Sequence, residues 1–150
     1  SGYDDDGVPI WVAEMGKWDP RKSVEAGPER KRNFQLYEIQ FLARCIASAQ
    51  WNSSEDNPRK EFNLILDMEG YSSRQISSPE TLDLQLWGAR QYSNAFVYLK
   101  QATVVNGNFI FTTLWDLMKP ILGNIQRTSY PNGSEVPTNT SHFWFTDEIG

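Results

Sequence analysis

At 150 residues the chain is the size of one domain, long enough to bury about 68–70% of the surface its unfolded form exposes. A net charge of −5 argues against nucleic acid as a partner, because a nucleic-acid binder needs a basic face. One cysteine excludes an intrachain disulfide, and a single histidine, His142 in a polar tail, with no clustered cysteines leaves no multi-histidine metal site and argues against a histidine-dependent catalytic triad.

The first element in the chain is a strand, Val8 to Met15, bounded by Gly7 and Gly16. Lys17 to Pro28 reads as a loop, with Asp19-Pro20 and Gly27-Pro28 as breakers. Glu29 to Trp51 then reads as a long amphipathic helix. Phe34, Phe41, Leu42, Cys45, Ile46 and Ala49 fall on one face at helical spacing. Arg30, Lys31 and Arg32 read as a solvated basic patch, and Cys45, set among apolar residues, as a buried, inert thiol.

A polar loop, Asn52 to Arg59, leads to a short apolar strand, Glu61 to Asp67, of the kind a parallel sheet buries on both faces. Gly70 punctuates it. Pro79 to Ala95 is the next helix, started by Pro79 and Glu80 and carrying Leu82, Leu86 and Ala89. The strand Leu99 to Val105 follows. A turn at Asn106, Gly107 and Asn108 opens the last helix, Phe109 to Leu122, which Lys119-Pro120 bends or ends. Asn124 to Ser141 is rich in loop-forming residues, and His142 to Thr146 reads as a last short strand. Strands alternating with helices predict an α/β fold with a mostly parallel sheet.

No apolar run reaches the ~18–20 residues of a membrane-spanning helix. The Asn-x-Ser/Thr sites at Asn52, Asn132 and Asn139 would matter only in a secreted protein.

Two features invite functional readings. Asp67 and Glu69 end an apolar strand, where α/β sheets place ligands. Such carboxylates can hold a cation for phosphoryl transfer, but no Gly-rich phosphate loop accompanies them. The structural alternative is that Asp67 hydrogen-bonds the following turn, which Gly70 lets the backbone make. The second feature is the helix Phe109 to Leu122. It is apolar nearly all round, whereas a surface helix needs one apolar stripe. Its second face must be covered by core, by a partner or by a ligand such as lipid, and periodicity leaves those three open.

Asn106-Gly107-Asn108 followed by Phe111, Trp115, Lys119-Pro120 and Leu122 resembles the CRAL-TRIO lipid-binding domain. That family's motif runs Asn-Ala-Pro, Phe, an aromatic, Lys-Pro and Leu at this spacing. Gly7-Val8-Pro9 through Gly16-Lys17 with Asp19-Pro20 resembles its opening strand and turn. Asn63 to Gly70 with Ser72 resembles its Asp-x-x-Gly strand end. The helix Asn33 to Trp51 lies where the family has its long helix. The resemblance covers about residues 7–122 and stops there, leaving 123–150 as an atypical tail. It suggests a domain that is either truncated or divergent at its C-terminal side.

The resemblance implies a non-enzymatic protein that binds one phospholipid or other hydrophobic molecule and transfers or presents it between membranes. The lipid would lie in an apolar pocket on a sheet floor beneath helices. No cofactor is implied beyond the lipid. Pocket candidates are Phe41, Leu42, Cys45, Leu64, Leu66 and Val104. The helix carrying Phe109, Phe111, Leu114, Trp115, Met118 and Leu122 would be a mobile gate that touches the bilayer. A cytoplasmic, transiently membrane-associated protein is expected. A sheet edge left open by the missing closing strand would invite a homodimer or another partner. The glutamate of phosphatidylinositol-binding members falls at Val97, and their lysine has no counterpart, so recognition of that headgroup is not implied. The contrasting reading is a protein-interaction module that keeps the fold without the pocket.

Overall fold

The computed structural model describes residues 2–51, 53–56, 58 and 60–122, together with the strand backbones at 127–129 and 142–145. The three Asn-x-Ser/Thr sites and Thr146 lie outside the described residues. The strands are β1 (Gly2–Tyr3), β2 (Pro9–Ala13), β3 (Phe62–Asp67), β4 (Leu99–Val105), β5 (Arg127–Ser129) and β6 (His142–Phe145). The helices are α1 (Pro20–Glu25), α2 (Pro28–Ser48), α3 (Pro79–Ala95) and α4 (Phe109–Leu122). All six strands join one sheet in the order β1-β2-β3-β4-β6-β5. Among the described strands, only the β1–β2 pairing is antiparallel; β2–β3, β3–β4, β4–β6 and β6–β5 are parallel. The fold is α/β, as the alternation of strands and helices predicts.

Register sets the floor. Leu64 stands opposite Trp11 on one side and Ala102 on the other, and Leu66 lies between Ala13 and Val104. With side chains alternating across the strand, these rows share the face on which the helices pack. Ala13, Phe62, Leu64, Ala102 and Val104 join one core cluster with Leu42, Cys45, Ala89, Phe111, Leu114 and Trp115. The opposite face is only partly covered. Asn63, Ile65, Gln101 and Thr103 are half-buried there, and Val12 is exposed. The β3 run is therefore not buried on both faces as its apolar sequence suggests. Asn63 uses its position on that face to donate to Asp4 Oδ2 at 2.8 Å, and Lys100 bridges Asp4 and Asp6.

Helix starts follow local chemistry. Pro79 occupies the first turn of α3, where its missing N–H costs nothing, and the Ser78 hydroxyl accepts from Thr81 N at 3.2 Å. Asn108 caps α4 by accepting from the Ile110 and Phe111 backbone N–H groups, each at 3.1 Å. Asp19-Pro20 starts the short helix α1 rather than breaking the chain. The helix α4 continues two residues past Pro120, so the proline removes a hydrogen bond in the last turn without ending the helix there.

Gly16 has no room for a side chain. A Cβ there would sit 2.0 Å from the Glu69 carbonyl oxygen. The Met15–Lys17 turn thus packs backbone to backbone against the turn after β3, and Gln75 Nε2 donates to the Gly16 carbonyl at 3.1 Å. Among the described residues, no helix is long and apolar enough to cross a membrane.

Candidate functional site

The site lies where α4, α3 and α2 converge over the carboxyl end of β3. A helical side chain recurs on the same face every three or four residues, so α4 presents Phe111, Leu114, Trp115, Met118 and Leu122 to one side. These five line an apolar space together with Leu66 from the floor. Phe111, Leu114 and Trp115 are almost wholly buried. On the outer side of α4, Phe109 is 78% exposed and Leu117 is 47% exposed. The helix therefore packs one apolar face inward and, on the side facing away, holds Phe109 and Leu117 among exposed Thr112, Thr113, Asp116 and Lys119.

The remaining walls come from Trp18 and Phe34, from Met68 and Tyr71 after β3, and from Ala89 and Tyr92 on α3. Tyr71 packs edge-on against Phe111, with ring centroids 6.1 Å apart. Trp18 stacks edge-on with both Phe34 and Phe41. Of the six residues expected from sequence to form a pocket, Leu66 borders the space. Leu42, Cys45, Leu64 and Val104 are buried in the core behind it, and Phe41 packs against Trp11 and Trp18. Burial pushes the Cys45 thiol up to about 12, so it stays a neutral, inert group. The volume of this space is about 60 Å³.

Sequence reasoning missed two polar residues at this space. Glu38, on α2, is 4% exposed, and its Oε2 has no hydrogen-bond partner among the described residues. Burial raises its carboxyl from the ordinary range to about 8, so it is protonated at neutral pH. Tyr92 is also buried, and its hydroxyl likewise finds no partner among the described residues. Its ionisation is pushed well above the usual tyrosine value, first by burial and then by the neighbouring Glu38. A signal for Glu38 existed. It stands four residues after Phe34, four before Leu42 and seven before Cys45, which makes it a carboxylate on the apolar stripe.

The Asp67 region is organised differently. Asp67 Oδ1 accepts from Asn106 Nδ2 and from the Glu69 backbone N–H, both at 2.9 Å. The Asn106 hydrogen bond, then the Glu69 one, holds this carboxyl below its usual range. Gly70 (φ 82°) and Asn106 (φ 55°) take left-handed backbone at the two turns so joined. Asn108 Nδ2 adds a bond to the Tyr71 carbonyl at 2.7 Å. Asp67 thus ties the turn after β3 to the turn before α4, and fixes where α4 begins. Among the described residues, no group of three or more His, Cys, Asp or Glu side chains is placed to hold a metal ion.

A family model of the CRAL/TRIO domain matches residues 1–129, reaching beyond Leu122 and across β5. Members of that family in general bind and transfer lipids or other small hydrophobic molecules rather than catalyse reactions. The match spans most of the chain and both sides of the apolar space, and the chain therefore belongs to the CRAL/TRIO domain family.

Proposed function

We propose that this protein takes one hydrophobic molecule into the space beneath α4 and carries or presents it between membranes. The observation behind this reading is the two-sided character of α4. Its inner face borders an apolar space, and its outer face holds Phe109 and Leu117 in solvent. The present volume, about 60 Å³, is several-fold below the roughly 300–1,000 Å³ of small-molecule pockets. Uptake then requires α4 to move outward as a gate, with Leu64, Leu66 and Val104 as the floor and Phe41, Leu42 and Cys45 as the wall behind. A lipid chain leaves a bilayer without loss only for equally apolar surroundings, since each buried CH₂ is worth ~0.8 kcal/mol. Phe109 and Leu117 would meet the bilayer during exchange, with the protein otherwise residing in the cytoplasm.

Solvent extraction of the purified protein followed by lipid mass spectrometry tests the reading. A stoichiometric hydrophobic ligand is expected. No co-purified ligand, and no displacement of a fluorescent lipid by any added lipid, would refute it. The small volume also favours a second reading, an interaction module with a closed interior, and that reading expects both results to be negative.

Phe109→Asp separates gate contact from folding. Removing a phenylalanine from a membrane contact forfeits about 1.5–3 kcal/mol, so vesicle-to-vesicle transfer is expected to fall at least tenfold. The exposed position predicts an unchanged melting temperature. Unaltered transfer would remove Phe109 from the membrane contact.

A further inference from the structure

Resting on the lipid-binding reading, we infer that the apolar space selects an uncharged lipid bearing a hydroxyl group, held between the Glu38 carboxyl and the Tyr92 hydroxyl. Both side chains border the space, and both are more than nine-tenths buried. Each leaves an oxygen, Glu38 Oε2 and Tyr92 Oη, with no partner among the described residues. Buried polar groups are nearly always hydrogen-bonded, so two such atoms beside one cavity point to a group that arrives with the ligand. Another polar side chain at the space behaves otherwise. Gln85 accepts from the Tyr71 hydroxyl at 2.8 Å and donates to the Gln75 carbonyl, so its amide is spent within the protein.

The helix geometry looks built for the carboxyl. Gly88 and Tyr92 are four residues apart on α3 and share a face. A Cβ at Gly88 would lie 3.1 and 3.2 Å from the two Glu38 carboxyl oxygens. Glycine there lets Glu38 reach across from α2 and end beside Tyr92.

The chemistry of the ligand follows from charge. Among the described residues, no lysine or arginine borders the space. A phosphate or carboxylate in it would be buried without a counter-ion, which is costly. A hydroxyl suits the pair, because it can accept from one oxygen and donate to the other.

The test uses the full chain, freed of lipid, and four probes of one length offered from phosphatidylcholine vesicles. These are hexadecane, hexadecan-1-ol, hexadecanoate and hexadecylamine. Wild type is expected to bind the alcohol most tightly. Glu38→Leu and Tyr92→Phe should each weaken alcohol binding about tenfold, the worth of one buried hydrogen bond, and leave hexadecane binding within about twofold. Gly88→Ala keeps every polar group but crowds the carboxyl, and it should also lower affinity for the alcohol alone. Alcohol and hexadecane weakened equally by Glu38→Leu, or tighter binding of hexadecanoate or hexadecylamine by wild type, would overturn the assignment while leaving lipid binding in place. Failure of all four probes to bind would overturn the lipid reading itself.

Discussion

Glu38→Gln is expected to stabilise the folded chain by about 4 kcal/mol at pH 8 and by almost nothing at pH 4.5. The carboxyl titrates at about 8 in the folded chain against an ordinary value of 4.5. Below pH 4.5 both folded and unfolded chains hold the proton, and the group contributes no pH dependence. Between 4.5 and 8 the unfolded chain releases the proton while the folded chain keeps it. Folding then binds a proton, and stability falls by up to about 1.4 kcal/mol per pH unit. Above 8 the loss is complete. Glutamine stays neutral throughout and escapes it.

For a chain of this length, such a change corresponds to a rise in melting temperature on the order of 10 °C at pH 8. Asp4 and Asp67, whose carboxyls are held low, act in the opposite sense at the acid end. They are common to both proteins, so the difference between the two melting curves isolates Glu38. Denaturant titrations at pH 5, 6.5 and 8 would show it directly. Curves that stay parallel across this range would mean that Glu38 ionises in water in the folded state.

Trp115→Asp is expected to abolish the fold at 25 °C. Truncating a buried tryptophan costs about 3–5 kcal/mol in lost contacts and cavity. Trp115 is 2% exposed and packs against Phe111 at 6.1 Å between centroids. The new carboxylate adds a burial penalty of its own. Together these match or exceed much of the 5–15 kcal/mol that stabilises a typical domain. Circular dichroism should show loss of cooperative melting. The contrast with Phe109→Asp is the informative part, because the same substitution six residues earlier on α4 should leave the melt unchanged. If Trp115→Asp instead melts like wild type, the inner face of α4 is not packed in solution, and the helix already stands open.

Much of the fold is legible in the sequence because its punctuation is local. Pro79 marks the start of α3, and Asn108 marks the start of α4. The apolar stripe of α2 needs no knowledge of distant contacts. Where one dipeptide has two meanings, the reading fails. Asp19-Pro20 reads as a breaker, but proline is equally at home in a first helical turn, and there it begins α1. The turn Ser73–Ile76, capped by Gln75 Oε1 accepting from the Ser72 backbone N–H at 2.9 Å, carries no comparable mark in the sequence. Within the polar stretch read as loop, Arg127–Ser129 forms β5 because β6 offers it an edge, a fact about a partner more than ten residues away.

The site is less legible than the fold. The inner face of α4 follows from the family spacing of Phe111, Trp115 and Leu122. The polar end does not, because it depends on α2 and α3 lying side by side. Glu38 taken alone is one more charged residue on a long helix. It becomes unusual only when Gly88 and Tyr92 are set against it.

The order of strands at the far side of the sheet has a consequence for hydrogen exchange. β6 sits between β4 and β5, although β5 precedes it in the chain. Among the described strands, β5 is bonded to β6 alone, and β6 reaches the rest of the sheet through β4. Any opening that frees β6 from β4 also detaches β5, whereas β5 can peel away by itself. Amides of Arg127–Ser129 should therefore exchange at least as fast as those of His142–Phe145.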